Sequence, residues 1–251
     1  MSKSYLGSWV LVVLLLVGYV APLAAKPASF LPPEAARVLD QIPAPPADDS
    51  IAGRADLETL LQVQKDRTPA QVARADKVAE HSPMEMGLDV FGAWFTEENL
   101  PQTAAILKQV RKECHPLLTA AKERWLRVRP FNRDARIKPC VKLPSGTSYP
   151  SGHSSSAAIW SVVFSAAFPE RAAEFDAATR ETMWCRVLGG VHYPSDTQAG
   201  YVLGTEIGRQ LLTTPAMQRA IATMRAEVQA FAAKHPQGAS GAAVETPLTS
   251  H

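Results

Sequence analysis

The chain has little net charge, few cysteines and no long apolar run beyond its first residues. Its 251 residues include 26 basic and 24 acidic side chains, a formal net charge of +2. This balance does not favour nucleic-acid binding through bulk electrostatics, so we expect no nucleic-acid partner. No segment after residue 25 is apolar for long enough to cross a bilayer, so we expect no membrane span in the mature protein. No competing cluster of metal ligands stands out, and no cofactor is predicted.

The three cysteines are Cys114, Cys140 and Cys185. In an oxidising compartment an odd number permits at most one internal disulfide. Cys114 and Cys140 bracket the segment that contains Arg129, and a bridge between them would brace it. The alternative is that all three are small, buried hydrophobic residues. Cys185 directly precedes Arg186, so we expect it to lie near that arginine, reduced and partly buried.

The first residues are typical of an export signal. Lys3 supplies a positive charge, residues 9–20 form an apolar run, and small residues follow at 21–25. The run is shorter than an ordinary membrane span. We therefore predict a signal peptide over residues 1–25 and a periplasmic location. The alternative is an N-terminal anchor that is not cleaved.

The remaining chain predicts one helical domain between two less regular segments. Residues 26–55 are rich in Pro and Ala and predict an extended arm that lies on the domain or leads into it. Residues 56–234 form the predicted domain, and residues 235–251 a small, polar tail that we expect to be disordered. Apolar residues recur at helical spacing in several parts of the domain: 57–64, 69–80, 104–125, 154–168, 170–188, 194–212 and 215–234.

One long segment interrupts this pattern. Residues 131–150 carry charges, prolines and a glycine with almost no periodicity, which predicts a loop. Loops of this length within compact domains are often functional. No strand alternation and no internal repeat are found. The sequence therefore predicts an all-α, single-domain helical bundle.

The first cluster of candidate functional residues is Lys122 with Arg129 and Pro130. Lys122 lies seven positions before Arg129, about two helical turns, so both side chains can point the same way. Pro130 disfavours helical geometry at Arg129, which predicts that the helix ends there. A planar guanidinium at this exit can bind two oxygens of a phosphoryl group. The alternative is a solvated basic face, since Arg124 and Arg127 lie nearby.

The second cluster is the sequence Pro150-Ser151-Gly152-His153. Gly152 can present its backbone N–H without a side chain in the way. The serines that follow predict the start of a helix, whose N-terminus attracts anions. Ser151 can add a hydroxyl donor, and His153 then lies beside an anion site. Alone, His153 would be more typical of a loop or helix-capping histidine.

The third cluster contains Arg186, His192 and Asp196. His192 and Asp196 are four residues apart around Pro194, a residue that can begin a helix. Asp196 can accept a hydrogen bond from one imidazole nitrogen and leave the other free to attack an electrophile. The alternative is a structural His–Asp pair whose carboxylate also binds Arg186.

Together the clusters resemble the phosphatidic acid phosphatase type 2 (PAP2) family, and within it the bacterial class A non-specific acid phosphatases. The family pattern is a lysine, six residues and Arg-Pro; then Pro-Ser-Gly-His; then Ser-Arg, five residues, His, three residues and Asp. Every charged position of the pattern is matched in this chain. The departure is Cys185, where the family usually has a serine. The resemblance covers roughly residues 55–232, and Tyr149 favours the class A branch.

The resemblance implies a fold, a reaction and a role for each residue. The fold is that of the PAP2 and vanadium haloperoxidase proteins. His192 is the nucleophile that forms a phosphohistidine, His153 is the general acid and then the base, and Asp196 orients His192. The residues implied to hold the phosphoryl oxygens are Lys122, Arg129, Ser151, Gly152 and Arg186. The expected activity is metal-independent hydrolysis of small-molecule phosphomonoesters.

Two other functions share this anion site. A vanadium haloperoxidase holds vanadate with the same residues, but this chain is short for that group. A non-enzymatic phosphate-binding protein would need the cations but not the two opposed histidines. The residues do not identify the physiological substrate, and a homo-oligomer remains open.

Overall fold

The computed structural model describes residues 28–235, and all regular structure in that range is helical. This confirms the predicted all-α fold. Two short 3₁₀ helices occupy Pro33–Gln41 and Pro169–Arg171. The α-helices are α1 (Ile51–Asp66), α2 (Pro69–Ala79), α3 (Pro83–Phe91), α4 (Pro101–Trp125), α5 (Pro130–Arg133), α6 (Gly152–Ala167), α7 (Ala172–Leu188), α8 (Pro194–Leu212) and α9 (Pro215–Lys234).

Helix α6 is the centre of the bundle and packs against α4, α7, α8 and α9. Ten of its sixteen residues are buried. Its closest neighbour is α8, which presents a glycine every fourth residue at Gly200, Gly204 and Gly208. A Cβ atom at Gly204 would lie 2.1 Å from the carbonyl oxygen of Ser155. The absence of side chains therefore lets the two helices, and the clusters at their N-termini, approach closely.

The helix starts follow the expected capping chemistry. Thr68 precedes Pro69 and forms a reciprocal capping box with Gln71, so that two backbone N–H groups at the start of α2 are satisfied. Helices α8 and α9 both begin at a proline, as the sequence predicts. Tyr193 and Thr214 occupy the positions before these prolines in extended conformation.

The end of α4 differs from the prediction. The helix continues through Pro116 but ends at Trp125, because Leu126 adopts a left-handed conformation with φ of 47°. Arg129 therefore lies in a separate, extended position, and Pro130 begins the short helix α5. Lys122 and Arg129 do not share a helical face. The chain reversal after α4 brings them together instead.

The segment before α1 packs onto the domain. Its residues 33–41 form a 3₁₀ helix, so it is not extended throughout. Val38 and Ile42 are buried in the main core. The Glu113 carboxylate on α4 accepts hydrogen bonds from the backbone N–H groups of Phe30 and Leu31, at 2.8 and 3.0 Å. This arm is thereby fixed to α4.

The predicted bridge between Cys114 and Cys140 is not present. Both thiols are free, because they belong to different parts of the interior. Cys114 lies in the main core, whereas Cys140 packs against a second cluster that contains Cys185. Cys185 is also free, as expected, but it is fully rather than partly buried. Burial raises the pKa of the Cys185 thiol to about 12, which keeps it protonated and unreactive.

The predicted signal peptide lies outside the described residues, as does all of the predicted tail after residue 235. Among the helices of residues 28–235, none combines the length and apolar character that a bilayer crossing requires.

Candidate active site

The three sequence clusters meet at one cavity of about 680 Å³. It opens where the N-terminus of α6, the C-terminal parts of α4 and α7, and the chain before α8 come together. Six of the eight predicted site residues line it: Lys122, Arg129, Gly152, His153, Arg186 and His192. The other two, Ser151 and Asp196, lie buried directly behind them. Residues spread over 75 positions of the chain are therefore brought to one site.

His192 is held between Asp196 and Arg129. Its Nδ1 atom lies 3.2 Å from Oδ2 of Asp196, and its Nε2 atom lies 3.1 Å from Nη1 of Arg129. A carboxylate only accepts hydrogen bonds, so Nδ1 carries the proton and Nε2 keeps its lone pair. Burial lowers the pKa of His192 to about 3, against the opposing effect of Asp196. The imidazole is therefore neutral and able to attack even in acidic solution.

Asp196 is fully buried, and both of its carboxylate oxygens accept hydrogen bonds. Its Oδ2 atom also accepts hydrogen bonds from the Ser148 hydroxyl and from the backbone N–H of Tyr193, the latter at 2.9 Å. Burial alone would raise the pKa of Asp196, but the hydrogen bond from His192 and the charge of Arg127 outweigh it and lower the pKa. The carboxylate is therefore ionised and fixed in orientation.

Arg127 anchors this carboxylate from behind, and sequence analysis missed it. Its Nη1 atom donates to Oδ1 of Asp196 at 2.6 Å and to the Ser195 hydroxyl at 2.7 Å, while Nη2 donates to Oδ2 of Asp56 at 2.9 Å. The guanidinium also lies over the Tyr193 ring, 4.0 Å from its centre. Two buried carboxylates thus share one buried cation.

The residue type and neighbours of Arg127 do not distinguish it from a surface arginine. Asp56 gave no signal either, since it lies 71 positions away on α1. The one available clue was the position of Arg127 after the end of α4, in the same segment as Arg129. This clue requires the correct helix end, which the left-handed turn at Leu126 determines.

Lys122 and Arg129 bind the loop as well as facing the cavity. Lys122 Nζ donates to the carbonyl oxygens of Thr147 and Pro150, both at 3.0 Å. Arg129 donates to the carbonyl oxygens of Ser145, Gly146 and Val191 at 2.9–3.1 Å. The loop over residues 134–151 is therefore held in place by two cations of the site itself.

Burial shifts the pKa values of these two cations. It lowers the pKa of Lys122 to about 8, with Arg129 adding to the effect, and it lowers the pKa of Arg129 to about 10. Both side chains are charged in acidic solution. Each retains N–H capacity beyond its carbonyl contacts, since an ammonium carries three donors and a guanidinium five.

Arg186 differs from Arg127 and Arg129, because its guanidinium makes no hydrogen bond or ion pair within the described residues, whereas theirs make several. Its side chain is 1% exposed, yet its Nε and Nη1 atoms have no hydrogen-bond partner within residues 28–235. Burial lowers its pKa to about 10, and the neighbouring charge of Arg129 lowers it further. A buried guanidinium without an acceptor is costly unless an anion joins it. The arrangement provides a ready site for two oxygens of a tetrahedral anion.

The N-terminus of α6 supplies further donors. The Ser151 hydroxyl caps the helix and lies 2.9 Å from the Ser154 hydroxyl. The backbone N–H of Ser151 donates to the carbonyl oxygen of Asp196 at 2.9 Å, a direct link between the second and third clusters. A Cβ atom at Gly152 would come within 3.4 Å of the Lys122 side chain. Glycine keeps this approach to the helix N-terminus open.

His153 lies across the cavity from His192. Its Nε2 atom is 3.0 Å from the carbonyl oxygen of Ala79 at the end of α2. A carbonyl only accepts, so Nε2 carries a proton and Nδ1 is available for proton transfer. Burial lowers the pKa of His153 to about 4, and the charge of Arg186 contributes. A bound phosphate dianion would oppose that charge and raise this pKa.

No metal centre is found in the described part of the chain, where no three His, Cys, Asp or Glu side chains are grouped suitably to hold an ion. The positive charge of the cavity comes from side chains and a helix N-terminus. Such an array can bind a phosphoryl group between a neutral nucleophilic imidazole and a second imidazole that exchanges protons.

Comparison with known proteins agrees with this geometry. A family model described as the PAP2 superfamily matches residues 112–219. A non-specific acid phosphatase of Salmonella typhi is 30% identical over 195 residues, which cover 74% of this chain and 78% of that protein. The protein of the same name from Salmonella typhimurium is 31% identical over the same shares, and that from Providencia stuartii is 26% identical over 71% and 75%.

Among solved structures, a transmembrane PAP2 type phosphatidylglycerolphosphate phosphatase from Bacillus subtilis is 19% identical. It aligns with 71% of this chain and 90% of its own, with a TM-score of 0.48. The family match over residues 112–219 contains all three clusters, and the relatives named non-specific acid phosphatase align with 71–74% of this chain. The chain belongs to the PAP2 superfamily and is an acid phosphatase of that family.

Proposed function

We propose that this acid phosphatase hydrolyses phosphomonoesters without a metal ion, through a phosphohistidine formed on His192. The observation that carries the proposal is the pairing of two features in one cavity. Arg186 is buried with unpartnered N–H groups, and His192, whose unprotonated Nε2 lies 3.1 Å from Nη1 of Arg129, lines the same cavity. An anion that satisfies Arg186 would place its central atom before the nucleophile.

The first half-reaction transfers the phosphoryl group to the enzyme. Nε2 of His192 attacks phosphorus as the bond to the leaving oxygen breaks, and His153 gives that oxygen a proton. Charge on the equatorial oxygens is stabilised by N–H and O–H donors that are already in place. These donors belong to Lys122, Arg129, Ser151, Gly152 and Arg186. Asp196 stabilises the positive charge that develops on His192.

The second half-reaction returns the enzyme to its starting state. His153, now unprotonated, takes a proton from water as the water oxygen attacks phosphorus. The bond between phosphorus and Nε2 breaks, and inorganic phosphate leaves. The low pKa of His192 supports this cycle, because the imidazole is both neutral for attack and a good leaving group.

The pKa values also support activity in acid. His192 remains neutral down to about pH 3, so acidification does not block the nucleophile until then. The pKa of His153 is about 4 without substrate, and a bound dianion raises it. His153 therefore carries its proton most readily in the substrate complex below neutral pH.

We further infer that the protein is exported to the periplasm. The support is the apolar run at residues 9–20 after Lys3, with small residues at 21–25. N-terminal sequencing of the protein recovered from a periplasmic extract tests this, and we expect the chain to begin at Lys26. Recovery of the intact N-terminus with the membrane fraction would support an uncleaved anchor instead.

The proposed chemistry is tested with a panel of phosphomonoesters in the presence and absence of chelator. We expect full activity in EDTA, and loss that only a divalent metal restores would contradict the proposal. Rapid acid-free quenching with radiolabelled substrate should trap base-stable, acid-labile phosphate on the wild type but not on His192→Ala.

The alternative function, a vanadium haloperoxidase, is tested on the same preparation with added vanadate, peroxide and halide. Halide oxidation without phosphatase activity would favour that function.

A further inference from the structure

The cavity is larger than one phosphoryl group requires, and its outer part is also basic. Beyond the catalytic residues it is lined by Arg111, His115 and Lys142. None of the three has a role in the proposed reaction. Glu80 is the one carboxylate among the residues that line the cavity, all of which lie in the described part of the chain.

Two of these residues form a continuous stripe with Lys122 along α4. Positions 111, 115, 118 and 122 are separated by four, three and four residues, which places them on one face of the helix. His115 precedes Lys122 by about 10 Å along the helix axis, and Arg111 precedes it by about 16 Å. The stripe therefore leads from the catalytic lysine towards the mouth of the cavity.

Lys142 approaches the same region from the loop. It is three residues from Ser145, whose carbonyl oxygen accepts a hydrogen bond from Arg129 at 3.1 Å. This attachment fixes the loop beside the inner site, and Lys142 lines the same cavity as the α4 residues.

These outer cations are not engaged in ion pairs. Arg124, an exposed arginine on the same helix, binds the Asp40 carboxylate at 3.0 Å. By contrast, the side chains of Arg111, His115 and Lys142 make no hydrogen bond or salt bridge to any residue within 28–235. The charges of Arg111 and Lys142 are therefore free to act on a molecule in the cavity, and the His115 ring can add an N–H donor.

The wall between the two basic regions is partly apolar. Leu118 lies on the α4 stripe between His115 and Lys122, and Trp160 of α6 also lines the cavity. A leaving group that extends outward from the scissile phosphate would pass these side chains before it reached the outer cations. The cavity thus presents a basic centre, an apolar passage and a second basic region.

We propose that the outer region binds a second phosphate group on the leaving group, so that bisphosphorylated small molecules are preferred substrates. This inference rests on the proposed function of the inner site. The spacing selects the kind of bisphosphate, because His115 and Arg111 precede Lys122 by about 10 Å and about 16 Å along α4. The two phosphates of a phosphoanhydride share one oxygen and are too close together. Phosphates at opposite ends of a short chain or sugar ring fit.

The test compares alkanediol monophosphates with the corresponding α,ω-bisphosphates over a graded series of chain lengths. We expect kcat/KM for the first phosphate released to favour the bisphosphate by about 3- to 10-fold, since exposed ion pairs are individually weak. The preference should peak where the two phosphorus atoms are about 10–16 Å apart. It should decline as salt is added.

Substitutions of single basic residues show which side chains cause the preference for bisphosphates. Arg111→Gln and Lys142→Gln should each lower the ratio of bisphosphate to monophosphate kcat/KM. Lys112→Gln is the matched control, because Lys112 is an exposed cation on the same helix that does not line the cavity. A control variant that lowers the ratio as much as Arg111→Gln would show only a general effect of net charge and would overturn the proposal.

Failure of this inference can be separated from failure of the proposed function. Hydrolysis of p-nitrophenyl phosphate reports the inner site alone. If it is absent, the proposed function is wrong. If it is present while bisphosphates and monophosphates give equal kcat/KM at every chain length, the second phosphate site is wrong.

Discussion

Arg127 and Arg186 are both buried at the same catalytic centre, yet their surroundings are opposite. Arg127 donates to two carboxylates and a hydroxyl, those of Asp56, Asp196 and Ser195. The Arg186 guanidinium makes no hydrogen bond or ion pair in the described structure, its Nε and Nη1 atoms have no partner, and Glu80 acts on it only through a weaker charge interaction. The pKa values follow this difference. Burial lowers the pKa of both, but the carboxylates reverse the effect at Arg127, whose pKa is raised, whereas the pKa of Arg186 is lowered to about 10.

The difference separates residues that hold His192, the proposed nucleophile, from residues whose donors would bind the substrate. A buried charge with a partner stabilises the fold, and the same charge without one destabilises it. The side of His192 that faces Asp196 is complete before any ligand binds. The side that faces the cavity leaves donors on Arg186 unused, so part of the interaction energy becomes available only when an anion enters.

This contrast predicts that residues on the substrate side affect activity more than stability. The largest effect is expected from His153→Ala with substrates that have poor leaving groups. Loss of the general acid should slow alkyl phosphates by about 10²–10⁴-fold and p-nitrophenyl phosphate by much less, because nitrophenolate leaves without a proton. Steady-state kinetics on both substrates measures this, and equal losses would show that His153 is not the acid.

The second-largest loss of activity is expected from Arg186→Met. Activity should fall by about 10²–10³-fold, as for removal of one preorganised donor to a transition-state oxyanion. The free energy of unfolding should stay the same or increase, because methionine fills much of the same volume without an unpaired charge. Denaturant unfolding of the phosphate-free protein checks this. A clear loss of stability would indicate that Arg186 has a structural partner, and the comparison with Arg127 would fail.

Arg127→Met should give the reverse pattern. Two buried carboxylates would lose their shared cation, and the free energy of unfolding should fall by about 3–5 kcal/mol. Activity should fall as well, because Asp196 would no longer hold His192 in place. The double variant with Asp56→Asn removes one of the orphaned charges and should recover part of the stability. No recovery would mean that the two side chains are not energetically coupled.

The sequence predicted the fold class and the residues of the site better than the connections between them. Helices α8 and α9 were predicted with their observed bounds, because a proline marks each start. The assembly of Lys122, His153 and His192 at one cavity is also as predicted. Their catalytic roles remain predictions until the variants are assayed.

The errors have a common physical origin in tertiary contacts. The sequence places the end of α4 at Arg129, four residues too late, because Pro130 is an evident signal and the left-handed turn at Leu126 is not. The bridge between Cys114 and Cys140 was inferred from sequence position, but the two residues belong to separate clusters. Arg127 was missed because its partner Asp56 lies on another helix.

The smallest expected effect is a pH dependence of stability that arises on the substrate side. The folded-state pKa of His153 is about 4, below its ordinary value, so its stabilising contribution is present at neutral pH and is lost as pH falls. Below about pH 6.5 the unfolded chain binds a proton that the folded chain does not, which lowers the free energy of unfolding by about 1.4 kcal/mol per pH unit. His192, with a pKa of about 3, adds a similar slope.

His153→Gln isolates the contribution of one imidazole. Between about pH 6.5 and 5, where most carboxylates are still ionised, its unfolding free energy should fall less steeply than that of the wild type by about 1.4 kcal/mol per pH unit. Inorganic phosphate should flatten the wild-type curve, because the bound anion raises the pKa of His153. Urea unfolding at several pH values, with and without phosphate, measures both effects. Parallel curves for the two proteins would show that His153 titrates normally in the folded state, and that the cations of the cavity do not act on it as the structure indicates.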